Sequence, residues 1–305
     1  MTPVINALRK LRLYTSASTC KQLAVLLSLV SLPILCPPAI AADVDFGQVL
    51  WFAERASAAY QPATEIQQRF PQVVRVATPA GTDVQYFLER DDASKRQIIS
   101  VRGTDNLTNV KEDADYLTSR NPRLGIFVHS GFDADTLALY QDIKPFLEPG
   151  YDTVVTGHSL GAAISTLLML YLHEDGYRLL PSMNFGQPKV TNGAGAEKYD
   201  FLPLTRVVDE NDVVPDLPPV DLLDSVHGRY EHFGREVVLL PGPFYAYLQQ
   251  HQAMRESLDS FWDNIGEESV TEHYMVHYLA HIRPKLQREQ QINYNDRERY
   301  LKPAP

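Results

Sequence analysis

Cysteine is nearly absent from this 305-residue chain: Cys20 and Cys36 are its only two, and both lie close to the N-terminus. Residues 42–305 therefore hold no thiol and no disulfide, so that part must be stable on its packing alone, which a chain of this length can manage. Metal ligation has no support either, since neither an HExxH pattern nor another tight cluster of ligand residues occurs. Positive charge is scarce: 28 Lys and Arg stand against 38 Asp and Glu, a formal net charge of −10. That balance argues against nucleic acid and against docking on anionic lipid, and says nothing about neutral lipid. Internal repeats and low-complexity tracts are missing between Ala42 and Pro284.

The apolar run Leu23–Leu35 is too short to cross a bilayer comfortably and contains Pro33. Arg9, Lys10, Arg12 and Lys21 precede or begin it, with no acidic residue before Asp43, and Ala39-Ile40-Ala41 follows it. Basic region, short apolar run and small residues in that order describe a cleaved export signal over residues 1–41. The expectation is a periplasmic or secreted protein with no membrane span once mature. No paired arginines mark a folded-export route, and Leu35 is a poor residue to precede a lipid-bearing Cys36. Removing the signal's four basic residues takes the net charge from −10 to −14.

Short apolar runs alternate with helical stretches through the rest of the chain. The extended runs are Gln97–Val101, Thr153–Thr156, Ser182–Phe185, Leu204–Val208 and Glu236–Leu239; the helical ones include Phe132–Phe146 and Leu160–Leu172. In Phe132–Phe146 and just beyond, Phe132, Thr136, Tyr140, Ile143 and Leu147 recur near helical spacing, which predicts a helix covering one sheet face. The alternation predicts an α/β domain over residues 42–284, with a mainly parallel central sheet and helices on both faces. After Pro284 the composition turns polar, and residues 285–305 read as a solvated helix or loose tail.

The strongest motif is Gly157-His158-Ser159-Leu160-Gly161. It follows the β-branched run Thr153-Val154-Val155-Thr156 and precedes Ala162-Ala163-Ile164. A strand turning sharply into a helix projects the hydroxyl of its middle residue above the sheet edge. Glycine on either side avoids a collision within the turn. The helix start presents unbonded amides where negative charge develops during acyl transfer. Serine is a weak nucleophile and needs a base that an acid orients. On this type of sheet the acid and then the histidine follow the serine. The stretch Val207–Pro219 offers Asp209, Glu210, Asp212 and Asp216; candidate bases are His227, His232, His251, His273, His277 and His281. Spacing alone does not choose among them. His158 is expected to point away from substrate and brace the elbow by hydrogen bonding.

Several blocks together resemble the class 3 lipases, the family of the filamentous-fungal triacylglycerol lipases. They are Arg102-Gly103-Thr104, Val128–Phe132, the elbow, Phe185–Val190, Asn211–Pro219, Tyr230 through Glu236, and His273–Tyr278. They fall in the family's order over roughly residues 50–282. The resemblance implies an α/β-hydrolase fold and a carboxylic ester hydrolase acting on acylglycerol lipid, including lipid at a lipid–water interface, without a cofactor or metal. It puts the nucleophile on Ser159, the acid on Asp212 and the base on His273, with His277 as runner-up. It builds the oxyanion hole from Leu160, through its backbone N–H, and Thr104, through its N–H and hydroxyl. Phospholipase A1 or general esterase activity on the same fold is the neighbouring alternative, and a catalytically dead lipid-binding domain the more distant one. Where the family has an amphipathic lid, this sequence has Asp105–Tyr116, in which acids dominate and only Leu107, Val110 and Tyr116 are substantial apolar groups. A second aromatic patch, Phe244–Leu248, reads as ordinary core or as a lining for an acyl chain.

Overall fold

The computed structural model describes residues 44–104, 118–218, 227–249 and 271–301. The expected signal, the expected lid Asp105–Tyr116 and His251 lie outside them. In chain order come helices α1 (Phe46–Ala58) and α2 (Ala63–Arg69), then strands β1 (Val73–Ala77), β2 (Tyr86–Asp91), β3 (Arg96–Val101), β4 (Thr118–Asn121) and β5 (Ile126–His129). Next are α3 (Ser130–Ile143), β6 (Asp152–His158), α4 (Leu160–Glu174), β7 (Arg178–Leu179), β8 (Ser182–Phe185), β9 (Thr191–Asn192) and α5 (Gly193–Tyr199). The chain continues with β10 (Leu204–Asp209), β11 (Tyr230–Glu231), β12 (Arg235–Leu239) and β13 (Phe244–Leu248). Helix α6 (Met275–Ile282) and strand β14 (Gln290–Ile292) follow.

The main sheet runs β1-β2-β3-β6-β8-β10-β12-β13-β14, with β7 on β6, and its middle from β3 to β12 is parallel. Buried on both faces, these strands carry apolar residues at consecutive positions rather than at alternate ones. Neighbours therefore go to opposite cores. Val155, Ile99 and Val101 face a cluster with α3 and α4 residues such as Leu139, Ile143, Ile164 and Leu167. Val154, Ile98, Phe185 and Val207 face a second cluster with Val49 and Phe52 of α1 and Tyr278 and Ile282 of α6. Each such side chain taken fully from water contributes roughly 1.5–3 kcal/mol. Gly161 to Leu172 of α4 are all buried, which explains a segment with almost no polar stripe. The expected helix at Phe132–Phe146 is α3, buried through Thr136, Leu139, Tyr140 and Ile143, with a 3₁₀ turn over Lys144–Phe146.

Parallel pairing aligns the C-terminal strand ends. Val101 lies beside Gly157, His158 beside Phe185, and Phe185 beside the β10 residue Asp209's near neighbour Val207. The loops holding Thr104, Ser159, Gly186 and Asp212 thus leave one edge of the sheet.

Of two further segments, the first takes the ordinary-core reading and the second departs from expectation. Phe244–Leu248 is a core strand, with Tyr245, Ala246 and Leu248 buried. The polar stretch after Pro284 is docked: β14 pairs parallel with β13, and a 3₁₀ helix over Tyr294–Tyr300 follows. Its anchors are too sparse for a periodicity reading, namely Ile292 with Tyr294, Tyr300 and Leu301 packed against Val238, Leu240 and Leu248.

Candidate active site

Strand register builds the elbow. Ser159 N–H donates to the Phe185 carbonyl at 3.0 Å, and the next residue already begins α4. Ser159 therefore takes the whole reversal, at φ 59° and ψ −130°. A side chain in that region stores strain of order 1–3 kcal/mol and persists only when packing dictates it. Packing does so here. A Cβ on Gly157 would stand 2.5 Å from the Gly161 carbonyl carbon, and one on Gly103 would stand 2.9 Å from Ser159 Cβ. The Arg102-Gly103-Thr104 loop thus runs directly against Ser159, which brings the half-buried Thr104 alongside. Leu160 is the first residue of α4, so its N–H has no partner within the helix.

Beneath the helix start lies a closed polar network. Ser165 donates to Asn184 Oδ1 and Thr166 to Gln187 Oε1, both at 2.7 Å; Asn184 Nδ2 donates to the Thr166 hydroxyl at 2.8 Å and the Ala162 carbonyl at 3.1 Å. All four residues are buried, and each hydrogen bond fixes the first turn of α4 against the end of β8.

Asp212 and His273 meet although 61 residues separate them: His273 Nδ1 donates to Asp212 Oδ2 at 2.7 Å, with both side chains fully buried. Tyr278 donates its hydroxyl to the same oxygen at 2.5 Å, and Val214 N–H donates to Oδ1 at 2.9 Å. Burial alone would raise the Asp212 carboxyl. The imidazole of His273, the Tyr278 hydroxyl and the Val214 N–H outweigh it and hold the group below its ordinary range. Burial and the adjacent carboxylate push Tyr278 well above an ordinary tyrosine, so it stays a donor. The His273 Nε2 is buried with no hydrogen-bond partner among the described residues. Gly186, at φ 54°, lets the two partners close: a Cβ there would stand 2.7 Å from His273 Cε1 and 3.0 Å from Asp212 Oδ2.

His158 braces the other side. Its Nε2 donates to the His273 carbonyl at 2.7 Å, so its Nδ1 accepts from the Tyr60 hydroxyl, also at 2.7 Å. Burial, aided by the neighbouring His273, pulls this imidazole down to about 3. It is a neutral strut.

The remaining candidates lie elsewhere. His277 pairs with Glu272 at 3.2 Å, His232 Nε2 donates to the Pro215 carbonyl, and the His227 ring contacts its neighbour's carbonyl. Asp209 pairs with His281 at 2.5 Å. Asp216 lies in the 3₁₀ turn Val214–Asp216, where its carbonyl accepts from Lys189.

Residues 98–222 match the sequence profile of the family described as Lipase (class 3). A lipase from Rhizomucor miehei is 35% identical over 154 residues, which are 45% of this chain and 41% of that protein. The secreted mono- and diacylglycerol lipase 1 of Fusarium solani is 31% identical over 178 residues, 53% of this chain and 49% of that protein. In three dimensions, a lipase from Rhizopus microsporus var. chinensis superposes with a TM-score of 0.54 at 27% identity, covering 71% of this chain and 84% of that one. Over this segment the chain is similar to the class 3 lipase family. Its fold is the α/β-hydrolase fold. The chain spans under half the length of these curated relatives.

Within the class 3 lipase segment lie Thr104, Ser159, Leu160 and Asp212; His273 lies beyond residue 222. Sequence reading missed Tyr60 and the Asn184–Gln187 network. A tyrosine that closes a helix–loop in sequence carries no mark of a partner 98 residues away. Asn184 reads only as part of the extended run Ser182–Phe185 and Gln187 only as part of the block Phe185–Val190.

Proposed function

We propose that the protein is a serine carboxylic ester hydrolase of the triacylglycerol lipase type, cleaving acylglycerol esters through an acyl-enzyme. The carrying observation is the buried Asp212–His273 pair, whose Nε2 has no hydrogen-bond partner among the described residues. In this reading Ser159 attacks the ester carbonyl carbon while His273 Nε2 takes its proton. The Leu160 and Thr104 amides hold the oxyanion, each such donor contributing about 3 kcal/mol to the transition state. The protonated imidazole then gives its proton to the leaving alcohol, and water repeats the sequence to free the acid. Asp212 stays ionised throughout, which its lowered pKa favours, and with Tyr278 keeps the Nδ1–H tautomer in place.

Esters of increasing acyl length, offered dissolved and emulsified, test this reading, with Ser159→Ala as control. Hydrolysis of acylglycerols that disappears in the variant is expected; no ester hydrolysis by the wild type would overturn it. The same reading takes residues 1–41 as an export signal. N-terminal sequencing of the protein recovered outside the inner membrane should start near residue 42, and an intact N-terminus on a protein retained in the cytosol would contradict it.

A further inference from the structure

The last residue of β10 and the loop after it carry three acids in four residues, Asp209, Glu210 and Asp212, and each is taken by a different residue beyond position 272. Asp212 is held by His273 and Tyr278, Asp209 by His281 of α6, and Glu210 by Arg297. Arg297 belongs to the docked C-terminal segment. Its Nε donates to Glu210 Oε1 at 2.6 Å, its other amine to the Tyr294 carbonyl at 3.3 Å, and its guanidinium lies 4.1 Å from the Tyr294 ring centroid. The cation is thus fixed to its own segment before it reaches the loop. That segment is itself anchored, by β14 on β13, by Gln290 N–H on the Pro243 carbonyl at 2.8 Å, and by Tyr300 against Phe244 at 4.5 Å between ring centroids.

We propose that this C-terminal strap is a positioning device for the candidate catalytic acid, with Arg297 as the positioning residue and Glu210 as the handle it grips. The inference rests on the reading of Asp212 as the triad acid. Between Glu210 and Asp212 only Asn211 intervenes, and Asn211 is exposed. A loop this short transmits displacement: when the Glu210 end swings out, the Asp212 carboxylate turns against His273. Catalysis is sensitive to such shifts, since misplacement by about 1 Å can cost on the order of a hundredfold. The Arg297–Glu210 pair is partly sheltered, at 27% and 10% exposed, so the contact outlasts the screening that dissolves most surface pairs.

Arg297→Ala should lower kcat on a dissolved p-nitrophenyl ester by roughly fivefold, leave KM within about twofold, and shift the thermal midpoint little. Arg297→Lys should recover most of the loss, and exchanging the charges (Glu210→Arg with Arg297→Glu) should recover part. Arg299→Ala, which removes an exposed pair with Asp296, is the control and should change nothing. Independently of turnover, the low-field proton resonance of the His273 Nδ1–H should move or broaden in Arg297→Ala. Unchanged kcat and an unchanged resonance would overturn the proposal. So would a loss that simply tracks the fall in thermal stability and that Arg297→Lys does not repair. Should the wild type hydrolyse no ester, the functional reading fails, yet the resonance still decides whether the strap positions Asp212.

Discussion

Among the described residues, two buried aspartates pair with histidines, and they differ in what surrounds them. Asp212–His273 is closed on every side, with the carboxylate taking three donors and the imidazole leaving one buried nitrogen unpartnered among the described residues. Asp209–His281 lies three residues and one helix away and is comparably short, but its histidine, in the last turn of α6, has a side chain that is 23% exposed. A short Asp–His contact therefore does not make a base. What distinguishes the first pair is its place at the edge where Ser159, Gly103 and Gly186 converge, and its seclusion from water, where an oriented dipole is strongest.

The most forceful way to break this comparison is at the nucleophile they are measured against. Ser159→Ala should fold and lose several orders of magnitude in turnover, read by ester hydrolysis at matched protein concentration. Retention of more than a few per cent would remove the reason to favour either pair. Next come the pairs themselves. His273→Ala and Asp212→Asn should each cost about three to four orders of magnitude in kcat, whereas His281→Ala and Asp209→Asn should cost only a few-fold, through loosening of the acid loop. His277→Ala should retain most of the activity. Equal losses in the two sets would mean that the second pair also reaches the reacting atoms.

Acid should separate the secluded region from the rest. His158 has a folded pKa near 3, below its ordinary value of 6.5, so its burial as a neutral group stabilises fully above pH 6.5. That contribution is lost as pH falls from 6.5 towards 3, and at pH 4 the loss is roughly 3 kcal/mol. Asp212, whose pKa is also lowered, adds a loss that sets in only below about pH 3.8. Denaturant unfolding at pH 7 and pH 4 should show this drop, and His158→Gln should flatten it. Smallest is Tyr278→Phe, expected to lower kcat by only a few-fold, because Asp212 keeps its bonds to His273 and Val214. A loss as large as that in Asp212→Asn would give the tyrosine a greater part.

Much of this was legible in the sequence where physics is local. The β-branched run before Gly157 and the apolar residues after it dictate strand, turn and helix, and β8 occupies the expected Ser182–Phe185. The parallel core was legible because strands buried on both faces read as continuous apolar runs. The choice of Asp212 over Asp209 was not legible from spacing, since both leave the same strand, and the family resemblance alone separated them. The docked C-terminal segment escaped for another reason: its hold on the fold is an ion pair, an edge strand of three residues and a few aromatic contacts, none of which has a period. Tyr60, bonded to His158, was hidden in the same way.

The central claim, that Ser159 is the group that takes the acyl chain, can be met directly. The protein would be treated with a lipid-like p-nitrophenyl phosphonate ester, digested, and mapped by mass spectrometry. One adduct on the peptide containing Ser159 is predicted, with labelling lost in Ser159→Ala and strongly slowed in His273→Ala. An unlabelled Ser159 peptide in protein that hydrolyses esters, or a stoichiometric adduct elsewhere, would contradict the account.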